Sequence, residues 1–320
     1  MQSEIVVSVI CNAYNHEPYI AQCLESMVMQ NTNFAYEVLV HDDASTDKTA
    51  DIIREYEQKY PDIIKPIYQT ENQYSKGSGM VGKIQFSRVK GRYIAFCEGD
   101  DYWTDPLKLQ KQFDAMEAHP ELDICAHAAL MINATTGKEI RHIAPKNNDT
   151  VISTDEVILG EGGYVATNSL FYRTELCNHA PEFRKILSID YSMQIYGSLR
   201  GGMLYLADCM SVYRYLTAGS WTVRTQENKE KYLAFQARKR KMLLQLNKDT
   251  DGKYNDAIAK VLLLLDYDNA IVQDNYKEIL TPKYKSMFNT LSKSQRIKIR
   301  IKAAFPFLHK LKRLLKSTSK

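Results

Sequence analysis

The stretch Cys97–Pro106, CEGDDYWTDP, follows the apolar run YIAF and places Glu98, Asp100 and Asp101 within four residues, with Tyr102 and Trp103 directly after them. Three carboxylates at the end of a buried strand repel one another and cost folding energy unless a cation sits among them. Oxygen ligands of this kind suit Mg2+ or Mn2+, which takes one or two carboxylates and completes its shell with substrate phosphates. The chemistry expected is a divalent cation carrying a diphosphate. The plain alternative is a solvated acidic turn before a helix, with Trp103 as a core anchor.

A second polar stretch, HDDASTDKT, follows the apolar run EVLVH. Asp42 and Asp43 close that run, and Ser45 or Thr46 can cap the next helix. One of the two Asp residues is expected to accept from a nucleobase imide or a ribose hydroxyl; capping carboxylates in a β-to-α turn are the alternative. No G-x-G-x-x-G follows the first apolar run. Without that phosphate cradle, a bound diphosphate needs a cation to neutralise it.

These loops need a frame. IVVSVIC (Ile5 to Cys11) reads as a strand buried on both faces. Pro18 then opens a helix with Ile20, Cys23, Leu24, Met27 and Val28 on one face. EVLVH is the second strand; a helix from about Asp47 to Tyr60, with Ile52, Ile53 and Tyr56 inward, stops at Pro61. IKPIYQ is a weaker third strand and YIAFC the fourth. This β-α-β-α-β order predicts a parallel sheet with right-handed crossovers, with ligands gathering at the carboxyl ends of the strands. NAYN, HDDAS and EGDDYW all fall at such ends, so three polar loops converge on one crevice.

The second half reads differently. A helix follows Pro106 with Leu107, Leu109, Phe113 and Met116 inward, and strand-like pieces follow around DICAHAALMI, YVATNSLFYR and MLYLADCMSVYRYL. From about Arg224 the pattern is helical and rich in Lys, Arg, Leu and Tyr.

The chain has 320 residues, 44% apolar and 25% charged, the balance of an ordinary globular protein. It has no apolar run of membrane-spanning length. MQSEIVVSVIC lacks the basic start and apolar core of a secretory signal, so a cytoplasmic location is expected. Six widely spaced cysteines without a C-x-x-C pair exclude the usual zinc and disulfide patterns and read as reduced thiols in apolar segments.

EVLVHDDASTDKT, followed some 55 residues later by YIAFCEGDDYWTDPLKLQKQ, resembles the family 2 glycosyltransferases of the GT-A fold, in particular bacterial members that build capsular and other surface polysaccharides. The resemblance covers roughly Val6 to Trp221, about two thirds of the chain. It implies a Rossmann-like nucleotide-binding half with a mixed central sheet over residues 1–103, an acceptor half over 104–221, and a helical extension over 222–320. The activity it implies is inverting sugar transfer from a nucleotide sugar, usually a UDP-sugar, with Mg2+ or Mn2+.

Carried over by position, Asn12 lines the nucleotide pocket, Asp43 contacts the uracil, Asp100 lies near the ribose and donor sugar, and Asp101 is the metal ligand. Where the family often shows D-x-D, the outer position here is Glu98. Inverting transfer needs one carboxylate base, worth ~10²–10⁴ in rate, and no acid, because the metal stabilises the leaving group. The matching Asp at a helix start is Asp190 in KILSIDYSMQIYG, with Asp208 in YLADCMSVYR ranked below it. YVATNSLFYR resembles the acceptor-side strand. YRYLTAGSW resembles a segment in which the family often has a His, at the position of Leu216; Arg214 and Trp221 there are candidates to close over diphosphate or acceptor. Lys76 and Lys83 are candidates for phosphate pairing.

The charge is uneven. Residues 281–320 hold 12 Lys or Arg and no acid, so the rest of the chain is acidic although the net charge is +4. Within RIKIRIKAAFPFLHKLKRLLK, Ile297, Ile301, Phe305, Leu308, Leu311 and Leu315 fall near one helical face, and Pro306 is expected to kink it. A basic amphipathic segment over residues 293–316 reads as an anchor on an anionic membrane surface; a helix packed on the domain is the alternative. No nucleic-acid motif accompanies the charge.

The leading reading is a metal-dependent inverting glycosyltransferase with a saccharide or lipid-linked acceptor. A nucleotidyltransferase would want a glycine- and base-rich loop where NAYNHEPYI stands. A non-catalytic membrane scaffold would be indifferent to loss of Asp101 or Asp190.

Overall fold

The computed structural model describes residues 4–77, 79–217 and 228–306. The chain divides into two units, Met1–Arg224 and Thr225–Lys320.

In the first unit, the apolar runs become β1 (Ile5–Ala13), β2 (Ala35–Asp42), β3 (Ile64–Tyr68) and β4 (Tyr93–Phe96), all parallel, in the order β3-β2-β1-β4. Their crossovers carry α1 (Ile20–Val28), α2 (Thr49–Lys59), the short α3 (Gln73–Lys76) and α4 (Met80–Phe86). Val7, Val9, Val38, Val40, Ile20 and Leu24 are all buried in one cluster, which is why these β-branched runs form strands covered by helices. Gly91 lets the chain enter β4 against β1: a Cβ there would stand 2.6 Å from the Ser8 backbone nitrogen.

Ser45 and Thr46 do not cap α2. The N-cap position is Lys48, with no side-chain cap; before it Asp47 accepts from Thr49 N–H at 3.0 Å and from Glu17 N–H of the loop after β1 at 3.1 Å, and the helix starts two residues later than the spacing predicts. Ser45 instead accepts from Asn15 N–H at 3.0 Å, tying the two crevice loops together.

The sheet continues through β5 (Tyr102–Trp103), β6 (Ile124–Asn133), β7 (Glu139–Ile143), β8 (Thr150–Ile152), β9 (Phe171–Arg173) and β10 (Met203–Tyr215). The order beyond β4 is β9-β6-β10-β5, with β9 antiparallel to both β4 and β6 and β10 parallel to β6. The helices of this half are α5 (Lys108–Ala118), α6 (Thr154–Gly160), α7 (Glu182–Ile186) and α8 (Asp190–Ser198). The result is a mixed α/β sheet, as the resemblance implies.

Two expectations are corrected. YVATNSLFYR is not one strand: Thr167–Ser169 forms a 3-10 turn and only Phe171–Arg173 pairs. The side chains of Thr167 and Asn168 bond across to other elements, and those bonds hold the turn out of the ladder. On α5, Leu107 is exposed at the helix start while Lys108 is buried, because Gln112 Oε1 accepts from its ammonium at 2.8 Å and the Trp103 ring lies 4.0 Å from it.

The second unit is helical, with helices over Lys229–Asp249, Asn255–Val272, Tyr276–Ile279, Lys285–Thr290 and Lys293–Ala304. The last helix turns Ile299 and Ala303 inward onto Tyr276, Ile279 and Phe288. It leaves Ile297, Ile301 and Phe305 outward, at 46%, 54% and 48% exposure. Leu308, Leu311, Leu315 and the rest of residues 307–320 lie outside the described residues, as does Trp221. Among the described residues no helix is long and apolar enough to cross a membrane.

Candidate active site

Parallel register sets the floor of the site. Asn12 pairs with His41, and Ala13 with Asp42, at the carboxyl ends of β1 and β2. Asn12 Nδ2 donates to Glu98 Oε1 at 3.3 Å, and its Oδ1 accepts from Gln85 Nε2 at 3.1 Å. The buried Gln85 also donates to the carbonyls of Cys11 and Leu39, so one side chain from α4 stitches the ends of two strands.

Asp43 lies on this floor but is already engaged. Its Oδ1 accepts from Gln73 N–H at 2.6 Å and its Oδ2 from Tyr74 N–H at 3.1 Å, which fixes the loop carrying α3. Tyr14, exposed on the loop after β1, follows Ala13, whose carbonyl accepts from Asp43 N–H at 2.9 Å.

The acidic loop divides its carboxylates by surroundings. Asp101 is only 2% exposed. Its Oδ1 accepts from the Arg214 backbone N–H at 2.8 Å and its Oδ2 from Asn168 Nδ2 at 3.1 Å. Asp100 is half-buried, with Oδ2 accepting from Thr217 Oγ1 at 2.7 Å, and is the more open of the pair. Burial, then the charge of Asp100, pushes Glu98 up to about 8 and holds Asp101 well above the usual carboxylate range. Asp190 adds to the push on Glu98, which places the helix start of α8 near the acidic loop. Burial and mutual repulsion thus push these crowded carboxyl groups toward their neutral forms, and a divalent cation fits that donor chemistry with one or two carboxylates as protein ligands. Among the described residues no group of three or more His, Cys, Asp or Glu is arranged to hold a metal ion.

Asp190 opens α8. Its Oδ2 accepts from Thr167 Oγ1 at 2.8 Å and its Oδ1 from the Tyr191 N–H at 2.7 Å. Burial raises its pKa, against those hydrogen bonds and the charge of Arg184. A carboxylate with raised proton affinity at a crevice is suited to general-base work. Asp208 is placed elsewhere, in the bulged part of β10, where it pairs with Lys111 at 2.6 Å.

Arg214 does not face the crevice with its charge. It is buried between the rings of Tyr19 and Tyr102, donates to the Asp100 carbonyl at 2.6 Å, and also bonds Gln22. Lys76 pairs with Glu71 at 2.6 Å, and Lys83 is exposed on α4.

A glycosyl transferase family 2 model matches residues 8–175, just over half of the chain. The chain belongs to glycosyl transferase family 2. An uncharacterized protein of Mycobacterium tuberculosis is 34% identical over 219 residues, 67% of this chain and 60% of its own length. An Escherichia coli UDP-Glc:alpha-D-GlcNAc-diphosphoundecaprenol beta-1,3-glucosyltransferase is 38% identical over 112 residues, 35% of this chain and 41% of its own. The match thus spans less than two thirds of either relative. S. aureus TarS residues 1–349, in complex with UDP-GlcNAc, superposes with a TM-score of 0.60 at 18% identity over 92% of this chain and 79% of that one. That likeness establishes the GT-A fold of the family 2 chain.

Several residues of this family 2 site escape the motif reading. His16 is one. Its Nδ1 is buried without a hydrogen-bond partner and would stand 2.8 Å from a Cβ on Gly99. Burial lowers its pKa, while the charge of Asp100 raises it. Its place in NAYNHE, a loop expected at the crevice, is a signal that the sequence carried. Thr167, Asn168 and Gln85 had no such signal: each reaches the site from an element whose placement depends on the whole sheet.

Proposed function

We propose that the chain transfers a sugar from a nucleotide sugar, a UDP-sugar first among them, to a saccharide or lipid-linked saccharide acceptor in bacterial surface-polysaccharide assembly. One observation carries this reading: the open carboxylate of Asp100 and the base candidate Asp190 are held around the same buried anchor, Asp101–Asn168, at the carboxyl edge of the sheet.

Asn12 and Glu98 line the nucleotide end, and Asp43 shapes its wall by fixing the loop of α3. Tyr14 offers an exposed ring on which a base can stack. Asp100 would hold Mg2+ or Mn2+, while Asp101 orients the loop from beneath. When bound, the cation would supply charge neutralisation for the diphosphate. Asp190 takes the proton of the acceptor hydroxyl as that oxygen bonds the anomeric carbon, and the bond to the diphosphate breaks on the opposite face. Products are the glycoside with inverted configuration, the nucleoside diphosphate and the proton held on Asp190. The naming of TarS with UDP-GlcNAc, and of a Pyrobaculum calidifontis mannosyltransferase with GDP-Man and Mn2+, supports a nucleotide-sugar donor and a divalent cation. The diphosphoundecaprenol acceptor in the E. coli relative's name supports a lipid-linked acceptor.

The outward row Ile297, Ile301 and Phe305 lies among Lys293, Arg296, Lys298 and Arg300, without an acid on the helix. That face suits an anionic leaflet, and a peripheral position on the inner face of the membrane follows for an enzyme with a lipid-linked acceptor.

The test is nucleotide release from a panel of UDP-, GDP- and dTDP-sugars with Mn2+. Turnover of one donor, abolished by chelator and in Asp100→Ala and Asp190→Ala, supports the reading. Silence with every donor, and no thermal shift with UDP plus Mn2+, sinks it.

A further inference from the structure

The turn Thr167–Ser169 joins the two halves of the chemistry. Thr167 Oγ1 donates to Asp190 Oδ2 at 2.8 Å. The next residue, Asn168, is fully buried; its Nδ2 donates to Asp101 Oδ2 at 3.1 Å and to the Val212 carbonyl at 2.9 Å. Its Oδ1 accepts from Ser211 Oγ at 2.8 Å, and its carbonyl accepts from Trp103 Nε1 at 3.0 Å. Ser169 then offers its carbonyl to Gln112 Nε2 at 2.9 Å, and Gln112 in turn holds Lys108. The amide orientation of Asn168 is fixed, because the carboxylate and the Val212 carbonyl can only accept.

Resting on the assignment of Asp190 as base, we propose that this turn is a positioning element: Thr167 aims the Asp190 carboxylate, and Asn168 locks the same turn to the acidic loop. The base and the cation-holding loop then move as one body. An α-helix start is fixed to its own helix, but its distance from a loop on another strand is free unless something spans the gap. Two consecutive residues span it here. The Asp190 carboxylate is gripped at both oxygens, by Thr167 and by the Tyr191 N–H, so its plane is defined. The charged groups around it are Arg184 of α7 and Glu98 of the loop after β4.

The hydroxyl also favours the ionised form of Asp190, as a hydrogen bond to a charged acceptor does. Thr167→Val keeps the volume and removes the donor. With the donor selected from the panel above, kcat is expected to fall roughly tenfold to a hundredfold, the worth of one hydrogen bond to a charged group. The acid limb of kcat moves to higher pH by about one unit. The KM for donor and the thermal shift with UDP plus Mn2+ stay at the wild-type values, which shows that the variant folds. Thr167→Ser restores both kcat and the limb.

Asp190→Asn runs beside them. If it is inactive while Thr167→Val keeps the wild-type kcat and pH limb, the positioning role is overturned and the base assignment stands. A fall in Thr167→Val that Thr167→Ser fails to restore also overturns it, since the hydroxyl is then not the agent. If Asp190→Asn still transfers sugar, the base assignment fails and the positioning role goes with it.

Discussion

Asp101 Oδ1 accepts the backbone N–H of Arg214 at 2.8 Å, tying the acidic loop to the end of β10. Both oxygens of Asp101 face donors, so both are used as acceptors. Asp101→Asn must turn an NH2 against one of those donors, and we expect a loss of ~1–3 kcal/mol in stability. Asp100→Asn, on the open side, is expected to leave the melting temperature within a degree or two, as surface changes within about 0.5 kcal/mol do, while abolishing transfer. Calorimetry and nucleotide release on the two variants separate the anchoring carboxylate from the cation-holding one.

Asp190→Asn is expected to lower kcat by ~10²–10⁴ with little change in donor binding. The base must be ionised to act. Because burial raises the Asp190 pKa above the 3.8 of a free carboxyl, the rate falls as pH drops through that raised value, earlier than for an ordinary Asp. A pH–rate profile in the wild type whose acid limb lies in the ordinary carboxylate range would remove Asp190 from this role.

Lys108 is an interior cation whose pKa burial lowers from 10.5 to about 7. Between those values the unfolded chain holds a proton that the folded chain lacks. Stability from this residue therefore rises with pH from about 7 towards 10.5, and its burden is fully present below 7. Lys108→Met is expected to gain ~1–3 kcal/mol at pH 6, with less gain at pH 9. A melting temperature that falls equally at both pH values would show that the contact with Trp103 outweighs the burial of charge.

Gly99 leaves no space for a side chain. A Cβ there would meet His16 Nδ1 at 2.8 Å, and Ala13 Cβ and the Asn12 carbonyl at 3.1 Å each. Gly99→Ala is expected to push apart the loops after β1 and β4 and to weaken UDP plus Mn2+ binding at least tenfold by isothermal titration, at a stability cost of ~1–3 kcal/mol.

Replacing Ile297, Ile301 and Phe305 with Ser removes an exposed row from the end of the chain's described residues. Apolar side chains are worth ~1.5–3 kcal/mol each when buried, so binding of the full chain to vesicles containing anionic lipid should fall more than tenfold. Melting temperature should stay unchanged. Sedimentation with vesicles, with and without about 0.5 M salt, where surface charges are largely screened, reads both the apolar and the charged parts.

The sequence-level reading of the crevice rested on polar loops at strand ends, and it succeeded where local pattern is enough. β-branched runs buried on both faces give parallel strands, and the strand-end rule then gathers Asn12, Asp43 and Asp100 on one edge. Asp101, expected as the metal ligand, is buried beneath the loop while Asp100 is the more open, a difference that adjacent carboxylates do not show in a sequence. Only the β10 backbone and Asn168, arriving from distant segments, distinguish them. The burial of Lys108 carries no local signal either: a lysine at a helix start is solvated unless a ring and an amide from elsewhere receive it.

The basic helix shows the division sharply. Its apolar spacing puts Ile297, Ile301 and Phe305 on one helical face, and the surface of Tyr276, Ile279 and Phe288 instead receives Ile299 and Ala303. What the sequence by itself determined was the alternation of strands and helices, the acidic motif and the family, because those are written in residue type and near spacing. What tertiary structure alone decided was which carboxylate is anchored, which is open, and how Asp190 is aimed. Those follow from hydrogen bonds between residues 23 to 113 positions apart, which no local pattern encodes.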